Sequence, residues 1–306
     1  MNKKIGNVTL NYDLYSGEDL YSDGPVEDEL LEIVKTIPKE QYSSVINGKK
    51  SWPILYHLSY YRENIINWMP IGKDESVLEV GSGCGALTGI LSEMAKDVTC
   101  IELSEKRSLI NAYRNIDKDN IEIIIGNFQD IEKTLDKKYD YITLIGVLEY
   151  GALYIDADNP HVEFLKCLKQ HLKPNGKVVI AIENKLGMKY WAGCKEDHLG
   201  VEFIGIEGYP GESKVRTFSK YELSEIVKNA GYNNTEFYYP YPDYKFPTTI
   251  YSDDYLPSIG ELCRNDRNFD SERLYVFNEL LSFNSVIKAN LFDSFSNSFL
   301  VVARDC

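Results

Sequence analysis

The chain has 306 residues with 43% hydrophobic content, enough for a sizeable packed core in one large domain or two small ones, which excludes a disordered protein. A formal net charge of -14 argues against a general affinity for nucleic acid or an anionic membrane, because both need a positive surface. The six cysteines, Cys84, Cys100, Cys167, Cys194, Cys263 and Cys306, show neither C-x-x-C pairs nor metal-ligand spacing, so they read as reduced thiols of a cytoplasmic protein and no metal is expected.

The opening MNKKIGNVTLNYDLYSG lacks an apolar segment of the kind a leader needs, and no apolar run is long enough to span a bilayer. Secretion and stable membrane insertion are therefore not expected. Alternation in Val8, Leu10, Tyr12 and Leu14 suggests a short hairpin or edge strand. From Pro25, VEDELLEIVKTI has an acidic first turn and apolar residues at helical spacing before Pro38, which predicts a helix. Pro53 starts a second helical pattern through Trp68, with Ile54, Leu55, Leu58, Tyr61, Ile65 and Trp68 on one stripe.

Residues 77 to 104, VLEVGSGCGALTGILSEMAKDVTCIELS, organise the rest. Val77, Leu78 and Val80 suit a buried parallel strand, and Gly81, Gly83 and Gly85 stand where that strand turns into a helix. Glycine there allows a ligand to approach the backbone closely. Leu87, Ile90, Leu91 and Met94 give the helix, and Val98 to Leu103 the next strand. Glu102 ends that strand, roughly 20 residues past the glycines, where a carboxylate can accept hydrogen bonds from ribose hydroxyls. The glycines also fit a dinucleotide-binding turn. Glu79 disfavours that reading, because a carboxylate near the glycines would repel a pyrophosphate and tolerate a cationic ligand.

The motif LEVGSGCG, with its strand, acidic residue and G-x-G-x-G, resembles the first motif of the class I S-adenosylmethionine-dependent methyltransferases. The resemblance implies an α/β, Rossmann-like sheet of seven strands in the order 3-2-1-4-5-7-6, the last antiparallel, with helices on both faces. To these it adds an N-terminal helical cap and acceptor-side insertions. It implies S-adenosyl-L-methionine as cofactor, held by Tyr60, Arg62, Glu79, Gly81, Ser82, Gly83, Gly85, Glu102, Leu103, Asn127, Phe128, Gly146 and Val147. In such a site Arg62 would pair with the ligand's carboxylate, and Asn127 and Phe128, just past the strand IEIIIG, would clamp the adenine, with Asp130 as a substitute.

Later in the chain, Tyr141 to Ile145 reads as the fourth strand. The stretch PHVEFLKCLKQHLKPNGKVVIAIEN reads as a helix, a Pro-Asn-Gly turn and the fifth strand. A helix from Ser219 to Ala230 precedes a sixth strand over Glu236 to Tyr239, and Phe299 to Ala303 is the seventh. The expected domain division is an extension and cap over 1–70 and a methyltransferase domain over 71–306, with insertions about 185–218 and 240–297. The second insertion interleaves aromatics with Asp243, Lys245, Asp253 and Asp254, which suits a lid over a sugar or similar polar acceptor. The alternative is a tyrosine-rich satellite core.

YHLSYYRENI, IENKLGMKYWAG, GIEGYP, RTFSK and YPDYKFPTTIYSDDYLP resemble a bacterial subgroup of these methyltransferases associated with glycosyltransferases and surface glycans. The resemblance implies a hydroxyl or amine of a saccharide, or of another small polar or carrier-linked acceptor, and a glycosyltransferase as partner, while the acidic balance disfavours nucleic acid. Glu149 and Glu183 are the carboxylates expected nearest the transferred methyl, where burial would raise their pKa values. His198, the one histidine in an inserted segment, is the candidate general base, with Glu202 and Glu207 close by to orient it; the alternative is a structural or surface histidine. The rival functions are an NAD-dependent oxidoreductase, a non-catalytic cofactor-binding partner in a glycosyltransferase complex, and a protein or small-molecule methyltransferase unrelated to glycans.

Overall fold

The structure is a computed structural model that describes residues 2–19, 21–211, 213–263 and 272–305. Residues 264–271, within the expected second insertion, lie outside the described residues, as does Cys306. The chain divides into two compact units, Met1–Leu144 with Cys167–Val178, and Ile145–Lys166 with Val179–Cys306.

Ten strands are present among the described residues: β1 (Asn2–Ile5), β2 (Val8–Asn11), β3 (Ser76–Val80), β4 (Asp97–Glu102), β5 (Ile121–Ile125), β6 (Tyr139–Ile145), β7 (Leu172–Glu183), β8 (Asn234–Tyr241), β9 (Thr249–Ser252) and β10 (Ser298–Arg304). In the first unit they run β1-β2-β5-β4-β3-β6-β7. The apolar runs of β3, β4 and β5 pair in parallel, with Val77 opposite Val98 and Cys100 opposite Ile123. Every residue of β3 is buried, as befits a central parallel strand. In the second unit the continuation of β7 is followed by β10, β8 and β9, with Leu300 opposite Tyr238 in an antiparallel pair.

Numbered as the sequence expects them, strands one to seven are β3, β4, β5, β6, β7, β8 and β10, and the expected neighbours are all found. The number seven needs correction, because β1, β2 and β9 extend the set. The alternating Val8 and Leu10 are fully buried, and β2 pairs in parallel with β5, placing Leu10 opposite Ile123. This alternation gave β2 one apolar face, enough to hold it on the edge of β5.

Two local expectations also changed. The Pro-Asn-Gly turn is absorbed into β7, which starts at Leu172 and passes Asn175 in a left-handed conformation at φ 65. The helix from Pro53 ends at Leu58, because Ser59 turns extended (ψ 129) and its hydroxyl accepts from the Tyr61 N–H to cap a short 3-10 helix, Tyr60–Ile65. In the first unit the helices Val26–Thr36, Tyr42–Lys49 and Trp52–Leu58 share a core with the glycine loop. Leu30, Ile33, Tyr42, Ile54 and Leu58 pack with Cys84 and with Ile110 of the helix Glu105–Arg114. Among the described residues no helix is long and apolar enough to cross a membrane.

Candidate active site

The glycine loop of the first unit is left-handed at alternate residues, with φ values of 71, 53 and 74 at Gly81, Gly83 and Gly85. Only glycine takes these repeatedly without strain. A Cβ on Gly85 would lie 2.3 Å from Asn111 Oδ1, so the loop is also pressed against the following helix. Glu102 ties the loop down. Its Oε2 accepts from the Gly83 N–H at 2.7 Å and its Oε1 from the Ser104 N–H at 3.0 Å. Between these glycines the Ser82 hydroxyl is buried without a hydrogen-bond partner.

Glu79 sits inside β3 with its carboxylate turned away from such a role. Oε2 accepts from Thr88 Oγ1 at 2.6 Å and lies 3.5 Å from Cys100 Sγ, and burial pushes its pKa up to about 7. Position 79 shares its face of β3 with Val77, one strand period away, which is why it points into the packed layer. Arg62 is buried at 4% exposure, its guanidinium 4.0 Å from the centre of the Tyr56 ring, with Nε and Nη1 lacking any hydrogen-bond partner. Tyr60 and its stacked neighbour Tyr61 are exposed. Asn127 caps the short helix Phe128–Glu132, its side chain accepting from the Gln129 N–H at 3.0 Å, while Phe128 is buried and Leu103 half-buried.

The second unit brings Glu149, Glu183 and His198 together from three separate segments. His198 Nε2 lies 3.4 Å from Glu149 Oε1 and 4.0 Å from Glu183 Oε2. Nδ1 lies 3.0 Å from Glu196 Oε1. Glu196, rather than Glu202 or Glu207, orients the ring. Its other oxygen accepts from the His198 and Leu199 N–H groups at 2.9 and 2.7 Å, which fixes the tight turn carrying the histidine. Glu202 instead forms a backbone bridge with Lys195, and Glu207 is exposed.

Electrostatics match this geometry. Burial alone would lower the His198 pKa, but Glu183 and the hydrogen bonds to Glu149 and Glu196 carry it well above the usual value. Burial raises Glu149, and its Oε2 has no partner. Lys245, from the segment after β8, pairs with Glu183 Oε1 and lies 2.6 Å from Asp197 Oδ1. Lys189 joins Asp197 at 2.9 Å to Asp243 at 3.3 Å. Gly146 and Val147 open the segment that carries Glu149. The Gly146 N–H donates to Ala181 O at 2.9 Å, and a Cβ on Gly146 would meet Tyr244 Oη at 2.8 Å.

Residues 56–236 match the family model described as a methyltransferase domain. The chain belongs to that family. Among relatives of this methyltransferase, an uncharacterized methyltransferase of Staphylococcus carnosus is 26% identical over 153 residues, 50% of this chain and 67% of the relative. A protein-L-isoaspartate O-methyltransferase of Dictyoglomus turgidum is 28% identical over 217 residues, covering 63% and 90% of the two chains. A solved S-adenosylmethionine-dependent methyltransferase of Archaeoglobus fulgidus aligns with a TM-score of 0.49 at 14% identity, over 83% of this chain and all of that one.

The methyl donor is S-adenosylmethionine. The residues of the first unit fit it: a loop of left-handed glycines, a pinned carboxylate at Glu102, a Ser82 hydroxyl without a hydrogen-bond partner and an Arg62 guanidinium whose Nε and Nη1 have none. When bound, the donor supplies an electrophilic methyl group on a sulfonium. Sequence reasoning missed Glu196, Lys189 and the link from Lys245 to Glu183. The signal for Glu196 was present in the run Glu196-Asp197-His198, where a carboxylate two residues before a histidine can close a turn onto its ring.

Proposed function

We propose that this methyltransferase methylates a hydroxyl or amine of a saccharide, or of another small polar or carrier-linked acceptor, in surface-glycan assembly. The observation that carries the reading is the buried constellation of Glu149, Glu183 and His198, held within the same unit by Lys245 of the tyrosine-rich segment after β8. In the reaction the acceptor's oxygen or nitrogen forms a bond to the methyl carbon, the carbon–sulfur bond breaks, and the acceptor loses one proton. That proton goes to the constellation, to His198 through Nε2 or to Glu149 through its unpartnered Oε2. Most of the rate comes from alignment behind the methyl and from exclusion of water.

On this reading residues 1–70 are an extension and helical cap, and residues 71–306 are the catalytic domain, with insertions about 185–218 and 240–297 that select the acceptor. The protein works in the cytoplasm beside a glycosyltransferase. Arg62, Ser82, Glu102, Asn127 and Phe128 hold the donor. A second reading, methyl transfer to a protein carboxylate, is favoured by the relative from Dictyoglomus turgidum, which is covered over 90% of its length.

The test is transfer of radiolabelled methyl from S-adenosylmethionine to a panel of nucleotide-linked and lipid-linked saccharides, with isoaspartyl peptides alongside. Label on a saccharide, lost in Glu149→Gln and in Glu102→Ala, supports the first reading; label on peptide alone transfers support to the second. Calorimetry with S-adenosylhomocysteine separates the variants, since only Glu102→Ala is expected to lose the ligand.

A further inference from the structure

We propose that Glu149, Glu183 and His198 form a binding site for a divalent cation of the Mn²⁺ type. One ligand atom from each residue falls within 4.8 Å of the others. The distances from His198 Nε2, 3.4 Å to Glu149 and 4.0 Å to Glu183, approach the edges of a coordination polyhedron, which span about 3 to 3.6 Å when metal–ligand bonds are close to 2.1 Å. Rotation of the side chains by about 1 Å draws the three ligand atoms onto such a polyhedron. The sequence grouped these three residues for acid–base work, but their linear spacing, 149, 183 and 198, matches no metal-ligand pattern, and no metal was expected there.

Three independent features point to a cation. Glu149 Oε2 and Glu183 Oε2 are buried without hydrogen-bond partners, and a buried carboxylate oxygen with no donor is costly. Neither the imidazole nor Lys245 relieves both, because Lys245 engages Glu183 through Oε1. Glu196 receives Nδ1 of His198 and so turns Nε2 toward the two carboxylates, an arrangement in which an outer carboxylate orients a ligating histidine. The buried charge is also unbalanced. Glu149, Glu183, Glu196, Asp197 and Asp243 outnumber Lys189, Lys245 and His198 within one connected cluster.

Two carboxylates and one imidazole form a donor set of oxygen with nitrogen and no thiolate, which suits Mn²⁺ better than a soft ion. The ion takes Nε2 in its unprotonated form while Nδ1 keeps its hydrogen bond to Glu196. Three protein ligands leave positions for water and for an acceptor oxygen, so the ion could lower the acceptor's pKa in the reaction proposed above. That last role rests on the proposed function; cation binding itself does not.

The experiment uses the full chain, stripped with a chelator and desalted, titrated with MnCl₂ and followed by loss of the free-ion electron paramagnetic resonance signal, with no acceptor present. One equivalent of bound Mn²⁺ is expected, weakened at least tenfold in Glu149→Gln and in His198→Gln. Glu196→Gln, which leaves all three ligands in place, should weaken it by about 10- to 100-fold. Binding of S-adenosylhomocysteine verifies that each variant is folded, and Glu149→Asp, which keeps the charge but shortens the reach, serves if a glutamine variant is not. Absence of stoichiometric binding, or binding of equal strength in the folded variants, overturns the proposal. Failure of the saccharide assay leaves this result untouched, so the two readings fail separately.

Discussion

Glu196 Oε1 stands 3.0 Å from His198 Nδ1 while its Oε2 gathers the N–H groups of His198 and Leu199, so one carboxylate sets both the backbone turn and the ring direction. Glu196→Gln keeps an acceptor oxygen for one of these duties but loses the charge that aligns the ring. Methyl-transfer kcat is expected to fall about 10- to 100-fold with the affinity for S-adenosylmethionine unchanged, measured by steady-state kinetics beside calorimetry. A parallel loss of donor affinity would refute a role confined to the second unit.

Arg62 offers a second test, because Nε and Nη1 of its buried guanidinium lack partners. A bound ligand's carboxylate would satisfy such a group with charge-assisted hydrogen bonds. Arg62→Met preserves packing against Tyr56 and should weaken S-adenosylhomocysteine by about 10- to 100-fold, equivalent to the ~1.5–3 kcal/mol of a hydrogen bond to a charged group. The melting temperature of the free protein should change little. If affinity is retained, Arg62 serves the cap's packing instead.

Glycine demands differ along the chain, which permits a paired comparison. Gly85 has φ 74 and a blocked Cβ position, whereas Gly200 has φ 66 and nothing within 4 Å. Gly200→Ala should cost only the left-handed strain, about 1–2 kcal/mol. Gly85→Ala adds displacement of Asn111 and should cost about 2–4 kcal/mol in denaturant unfolding, with loss of donor binding. Equal costs would mean that the contact with Asn111 is soft.

Glu79 predicts a pH dependence. Burial raises its pKa from 4.5 to about 7, so the folded state holds a proton that the unfolded chain releases. The associated stability is fully present below about 4.5 and is lost as pH rises through about 7. Above that range the ionised, buried carboxylate costs on the order of 3 kcal/mol. Glu79→Gln should therefore match the parent protein in urea unfolding near pH 4.5 and exceed it by up to that amount at pH 8. No gain at pH 8 would show that the ionised carboxylate is relieved by its neighbours.

Much of the fold was legible because buried parallel strands announce themselves. The run Val178–Ile182 is continuous and apolar, and Val77–Val80 and Ile121–Ile125 are each broken by a single glutamate, so these strands and their expected neighbours stand out in the sequence. The break at Ser59 was hidden, since the stripe of apolar residues continues through it and only the hydroxyl cap on Tyr61 redirects the chain. Glu79 was read as facing a ligand because its position in the motif is close to the glycines, yet the side-chain alternation of β3 aims it at Thr88 and Cys100. The second site was half legible. Its three candidate residues were each visible as polar groups at strand ends or in an insertion, but a side chain that meets them from another segment, as Lys245 does, leaves no periodic trace.

The Lys245 ammonium, shared between Glu183 and Asp197, makes the segment after β8 inseparable from the strand end and turn that it neutralises. An engineer who transplanted this segment into a relative to change its acceptor would carry across an unmatched buried cation, and removing it from the parent would strip Glu183 of its ammonium partner and leave Asp197 with Lys189 alone. Loop exchange between members of the family should therefore succeed only when residues 183, 197 and 245 move as one unit of inheritance.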